Sequence, residues 1–382
     1  MPSTSSLPIL STEPTTHLEA LTPQRLRRAK FAYTTRYAQN YAFNTLATGD
    51  ELFLLSGDTV RPAAGDVVLA RIVEIGKQEK VEGPQSRRAT LFEGDEVVLA
   101  YGNRYAADQY HAVVPDSLEE CHMVAAGGVA GRVIEQNAMV DDATRIQPNG
   151  ILATAYGKLS TQDVARHRLD LADHSTTGRP TVIAAFGTSM NSGKTTTAAH
   201  LVHGLAAAGH TVGAAKVTGT GAGNDPGYFA DAGAAEVRDF TDFGFPTTFK
   251  LDYDHVKALL TNTVRELTAS GCSVIVVEIA DGLFQGETRR LVEDPVFAGT
   301  VDRVVFSASD SLGAVAGVDF LTSRGIEVSG VSGLLTASPL LEAEARVAVD
   351  VPVVNTIDLA CPEVALSVSF VEAPAGAPGE RA

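Results

Sequence analysis

Tryptophan is absent from this chain, aromatic residues make up only 6% of it, and cysteine occurs three times in 382 residues. Cys121, Cys272 and Cys361 stand far apart and make no metal-ligand spacing, so reduced thiols and a cytoplasmic location are the plain reading. No apolar run approaches the roughly 20 residues that cross a bilayer, which excludes a spanning helix. Basic residues are scarce. Thirty Lys plus Arg against 46 Asp plus Glu give a net charge of −16, a field that repels polyphosphate backbones and disfavours nucleic acid as a partner. The amino terminus, MPSTSSLPIL, has neither a basic n-region nor a long apolar h-region and reads as a polar leader.

What is present suits two globular domains at roughly 150 residues each. Residues 1–20, rich in Ser, Thr and Pro, and the tail 373–382 are too poor in core-forming residues to order themselves. Between 21 and 150, β-prone runs such as Val67 to Ile75 and Glu96 to Tyr101 alternate with Gly-Asp turns, predicting a small mostly-β domain, barrel or sandwich. Gly-Asp followed by Val-Val-Leu-Ala occurs at Gly65 and again, with Glu96 inserted, at Gly94, which suggests two similar hairpin units. The Arg87-Arg88 pair reads as a solvated hairpin tip and Ala126 to Gly131 as turn chemistry. Residues 151–178 read as a linker, with an adapter helix as one option between Lys158 and Thr177. From 179 to 372 apolar strands alternate with amphipathic helices, the pattern of an α/β domain with a parallel sheet.

The strongest local signal is GTSMNSGKTT, Gly187 through Thr196, set between a strand at Thr181 to Phe186 and a helix at Thr196 to Ala208. Strand, glycine loop, then helix is the context in which successive backbone N–H groups surround a phosphate. In that frame Gly187, Thr188, Ser189, Met190, Asn191, Ser192, Gly193, Lys194, Thr195 and Thr196 form the cradle. Lys194 reaches the β and γ phosphates, and Thr195 offers its hydroxyl to Mg²⁺. Five residues rather than four separate Gly187 from Gly193, a departure from the usual spacing. Ser273 to Glu278 reads as a buried strand delivering one carboxylate to the sheet edge where ligands bind, and Asp281 is either a second such carboxylate or an acidic turn.

Read as Gly187-Thr188, four residues, then Gly193-Lys194-Thr195, the loop resembles that of dethiobiotin synthetase. That enzyme belongs to the P-loop class that also holds signal-recognition GTPases, MinD-like ATPases and cobyrinic acid a,c-diamide synthase. Lys216, closing Thr211 to Lys216, is similar to the dethiobiotin synthetase lysine that holds the acidic substrate. Asn224-Asp225 resembles a segment of the molybdopterin-guanine-dinucleotide adaptor in which an aspartate approaches the metal. The resemblance thus implies Thr195, Asp225 and Glu278 around Mg²⁺. Gly282-Leu283-Phe284 after Glu278 is similar to cobyrinic acid a,c-diamide synthase, which has glycine where this chain has Ile279. The resemblance implies ATP, and GTP is left open because the asparagine that contacts the base in dethiobiotin synthetase is missing near Thr336 to Ser338. The likeness spans about 180 to 360 and leaves out the β domain.

These readings together predict a parallel-sheet P-loop NTPase domain preceded by a β domain. The expected activity is ATP-dependent phosphoryl transfer to a small carboxylate or carbamate, kinase- or ligase-like, with Lys194, Lys216 and Glu278 as catalytic residues. Two other classes stay open: a nucleotide-dependent adaptor for cofactor biosynthesis, and a polynucleotide 5′-hydroxyl kinase, which the charge disfavours. The β domain is open to use as a substrate lid or a homodimer contact.

Overall fold

The computed structural model describes residues 15–374. Most of the proposed leader, residues 1–14, and residues 375–382 of the tail lie outside the described residues. The end of the leader does not behave as expected. His17–Ala20 pairs antiparallel with Phe53–Ser56 as an extra strand on the outside of the first sheet.

A helix, α1 (Arg36–Thr48), precedes five strands: β1 (Val67–Glu74), β2 (Glu96–Tyr101), β3 (Cys121–Ala125), β4 (Val129–Gln136) and β5 (Thr144–Thr154). β1 pairs with β2, β2 with β4, β4 with β3, β3 with β5, and β5 returns to β1, so the sheet closes into a barrel. The repeated Gly-Asp phrase is explained differently from the sequence reading. Its two copies start β1 and β2, which pair with each other rather than heading separate hairpins. Alternation along β1 sends Val68, Ala70 and Ile72 into the barrel and Val67 and Leu69 outward beneath α1, where Ala38 and Ala42 cover them. Both faces are apolar because both are covered.

β5 runs through residue 150, and Gly157–Lys158 pairs back onto it, so the β region extends past the boundary read from sequence. The segment 159–178 holds no helix. It is an irregular strap fastened to the second half by Asp170 N–H to Asn262 (2.9 Å) and by Arg265 to Asp173 (2.8 Å).

The second half begins with β6 (Thr181–Gly187) and α2 (Lys194–Ala207), followed by β7 (Val212–Lys216) and α3 (Asn224–Asp231). Next come β8 (Glu236–Asp239), α4 (Tyr253–Ala269) and β9 (Val274–Glu278), and then β10 (Arg303–Ser307), α5 (Ser311–Thr322) and β11 (Val328–Ser332). All six strands are parallel, in the order β8-β7-β9-β6-β10-β11. Val182, Ala184 and Phe186 of β6 join the layer that contains Val256, Leu259 and Leu260 of α4. Ile183 and Ala185 join the opposite layer, with Leu201, Val202 and Leu205 of α2. Helices thus cover both faces, and the carboxyl ends of the strands form one open edge, the usual place for a ligand.

The halves meet along a tight seam. Arg36 and Tyr37 both bond to Asp242 Oδ1 (2.6 and 2.5 Å), and the Gly223 N–H donates to Glu82 Oε2 (3.1 Å). Gly127, in the turn between β3 and β4, lies flat on Gly221. A Cβ on Gly127 would sit 1.9 Å from the Gly221 carbonyl oxygen. Cys121 and Cys272 are buried, Cys361 is exposed, and all three are free. Among the described residues no helix is long and apolar enough to cross a membrane.

Candidate active site

β6 ends at Gly187, where a Cβ would meet Ser192 Oγ at 2.2 Å and the Ser307 carbonyl at 2.9 Å, so only glycine lets the loop fold back so closely. The loop then turns through two left-handed residues, Asn191 (φ 62°) and Gly193 (φ 96°). It is held from several sides. Thr188 N–H donates to Ser307 O (3.0 Å), Leu334 N–H to Ser192 O (2.9 Å), and the Lys194 ammonium curls back to Ser189 O (2.7 Å). The helix's internal bonding starts with Thr197 N–H to Gly193 O (2.8 Å), leaving the earlier N–H groups free for an anion. Met190, Asn191, Gly193, Lys194, Thr195 and Thr196 line the cleft above the sheet edge, whereas Gly187, Thr188, Ser189 and Ser192 do not.

β9 lies directly beside this strand. Glu278 is in register with Ala185 of β6 on one side and Lys216 of β7 on the other, so the predicted carboxylate and lysine end up adjacent at the edge. A phosphate-type loop after the first parallel strand, with an acid-tipped strand next to it and helices on both faces, decides the fold. The second half has the layout of a parallel α/β P-loop fold.

The side chains at this edge are strongly coupled. Lys216 is buried and contacts Asp225 of α3, with Glu278 Oε1 3.7 Å away. Burial alone would lower the Lys216 pKa, but Glu278 and Asp225 outweigh it and hold the ammonium above its ordinary range. Burial pushes Glu278 upward while Lys216 and Lys194 pull it down, and the Thr195 hydroxyl also favours its ionised form. Lys194 is lowered, chiefly by burial, with Glu278 opposing. Asp281, at φ 64°, is raised by burial to about 6 despite Lys194 and Lys216. Glu278 Oε2 is buried without a partner. Among the described residues there is no group of three or more His, Cys, Asp or Glu disposed to hold a metal. An unpartnered carboxylate oxygen beside a threonine hydroxyl nevertheless fits Mg²⁺, which is commonly held by one or two carboxylates with phosphate and water completing its shell.

The cleft is about 910 Å³, at the upper end of the roughly 300–1,000 Å³ usual for small-molecule sites. Its second wall belongs to the β region, for which the sequence suggests a substrate lid or a dimer contact but no particular residues. Lys80, Glu82, Arg88, Arg104, Gln109 and Gly127 face the phosphate loop from there. The predicted hairpin tip is present, with Lys80–Glu82 paired to Arg88–Thr90, but Arg88 borders the cleft. Nothing local in the sequence marks Arg104 or Glu82, since their neighbours at the site come from the other half of the chain. Neither Arg289 nor Arg290 lines the cleft. Arg290 stacks on Tyr253, 3.8 Å from the ring centroid. His200 contacts its own helix through the Thr196 carbonyl (2.9 Å).

No family model and no curated protein matches the chain. Solved structures overlap it in part. The signal recognition particle receptor FtsY of Elizabethkingia anophelis is 17% identical with a TM-score of 0.33, covering 51% of this chain and 67% of its own. The septum site-determining protein MinD of Pyrococcus horikoshii, complexed with Mg-ADP, is 14% identical with a TM-score of 0.31, covering 50% and 94%. The 54 kDa signal recognition particle protein of Aeropyrum pernix, in complex with GDP, is 17% identical with a TM-score of 0.31, covering 53% and 42%.

Proposed function

We propose that the cleft binds a magnesium nucleoside triphosphate and passes its terminal phosphoryl group to a small anionic acceptor, a carboxylate or carbamate. The observation that carries this reading is the Lys216 ammonium, buried between Asp225 and Glu278 and facing the same cleft as Lys194. The loop N–H groups and Lys194 bind the phosphate tail and fix its direction. Thr195 and Glu278, with Asp225 completing the set, would hold Mg²⁺, which when bound supplies charge neutralisation to the phosphate oxygens. With both carboxylates engaged in that way, Lys216 would lose the partners that hold its charge, and an acceptor anion is the group that would replace them. Lys216 thereby orients the acceptor oxygen toward the bound phosphate. The resemblance of the loop and of Lys216 to dethiobiotin synthetase supports the same assignment, with ATP preferred and GTP open.

The test combines calorimetry with Mg·ATP and Mg·GTP and diphosphate release measured across a panel of small mono- and dicarboxylates. Release accelerated by a carboxylate in the native protein, and lost in Lys216→Ala while nucleotide binding stays within about threefold, is the expected result. Hydrolysis indifferent to every carboxylate would remove the acceptor assignment, and absence of nucleotide binding would remove the reading as a whole.

A further inference from the structure

Arg104 belongs to a short hairpin of the β region, Arg104–Tyr105 paired with Tyr110–Val113, and is only 6% exposed. One bond satisfies it, from Nη2 to Gln109 Oε1 (3.1 Å), while Nε and Nη1 are buried with no partner. Burial lowers its pKa to about 10, still far above neutrality, so the guanidinium is charged there even though Asp108, Tyr110 and Asp281 compensate it only in part. A buried charge with unmet donors is costly and calls for an anion to meet it.

Placement says which anion. Arg104 lines the cleft together with Lys194, Asp281 and the loop apex. Its hairpin is tied to that apex, since the Asn191 side-chain amide donates to Asp108 Oδ2 (2.9 Å). The hairpin is also braced on the second half, with Tyr105 and His111 on the Phe249 ring at centroid distances of 5.5 and 5.6 Å. The β region therefore carries this guanidinium into the cleft on a hairpin held to the phosphate loop. We infer that Arg104 contacts the terminal phosphoryl group of the bound triphosphate, as a cation supplied by the β region to the phosphate loop of the same chain. This rests on the nucleotide reading above. Arginine suits the role because its planar fork meets two phosphate oxygens at once and keeps its charge when desolvated.

Calorimetry on the full chain tests it, using the magnesium complexes of ADP and GDP and of nonhydrolysable ATP and GTP analogues, on native protein and on Arg104→Gln. Triphosphate affinity should fall about ten- to hundredfold, the effect of losing bonds to a charged group, with diphosphate affinity within about twofold. Hydrolysis should fall by about 10³-fold. The unliganded variant should melt no lower than the native protein, because the substitution removes an unmatched buried charge. If Arg104→Gln does not fold, Arg104→Lys, which keeps a charge but not the fork, carries the same comparison. Equal losses for di- and triphosphate, no loss for either, or a lowered melting temperature accompanied by equal losses would each overturn the assignment. A native protein that binds no nucleotide at all would instead overturn the reading beneath it.

Discussion

The two halves bury their interiors in opposite ways. Inside the barrel the packed cluster is apolar, Val68, Ala70, Ile72, Val97 and Leu99 among its members, with Tyr101, Cys121 and Met123 beside them. At the edge of the parallel sheet four charged groups, Lys194, Lys216, Asp225 and Glu278, share one small volume with incomplete hydrogen bonding. A closed barrel satisfies its backbone all round and leaves no open strand ends, whereas a parallel sheet leaves every carboxyl terminus on one rim. The barrel contributes to the cleft from its outer hairpins, through Arg88, Arg104 and the Gly127 turn, and not from its interior.

Breaking that contrast should start with Lys194. Lys194→Ala is expected to weaken magnesium-nucleotide binding about a hundredfold in calorimetry, with little change in stability, because among the described residues its ammonium bonds only to Ser189 O. Undiminished binding would mean that the rim is not the phosphate site. Ile72→Ala examines the other half. Emptying that fully buried barrel position should cost about 2–5 kcal/mol in chemical denaturation, while the folded protein keeps its nucleotide affinity. A parallel drop in affinity would show that barrel packing and the rim are not separable.

The seam between the halves gives a pH test. Burial, with Asp242 adding to it and Arg36 opposing, raises the Asp239 pKa to about 7, against roughly 3.9 in an unfolded chain. The folded state therefore binds this proton more tightly than the unfolded one. Its contribution is greatest below about pH 4 and is lost as pH rises through about 7. Asp239→Asn keeps the cap on Thr241 N–H and should flatten the fall in unfolding free energy between pH 5 and 8 by about 2–3 kcal/mol. Identical slopes for variant and native protein would rule out Asp239 as the source. The smallest expected effect is at the glycine contact. Gly127→Val should cost about 1–3 kcal/mol of stability and, unlike Ile72→Ala, weaken nucleotide binding as well, since the overlap with Gly221 pushes the two walls apart. Retained affinity would show that the cleft tolerates a wider seam.

What was legible in the sequence was what is local. The phosphate loop and its flanking strand and helix announce themselves within a few turns of chain, and Glu278 is conspicuous because an apolar strand ends on a carboxylate. β8, reading Glu-Val-Arg-Asp, was missed because it is a short edge strand with a single aliphatic residue. Helix α1 was missed because the fully buried positions of its face are two alanines, Ala38 and Ala42, with Phe43 and Leu46 only partly covered, too little to stand out as an apolar stripe. The closure of the barrel depends on β5 pairing with both β1 and β3, a long-range choice that no window of sequence contains. Arg104 is the clearest case of this limit. Its meaning comes from Asn191, Asp281 and Lys194, all brought to it by docking of the other half.

The bare contact of Gly127 on Gly221 also bears on how rigid the cleft is. Side chains that meet across a gap can swing between rotamers and let the gap breathe, but two peptide backbones in direct touch have no such freedom. Near this contact the two walls of the cleft meet backbone on backbone, so the spacing between them is set like a fixed caliper.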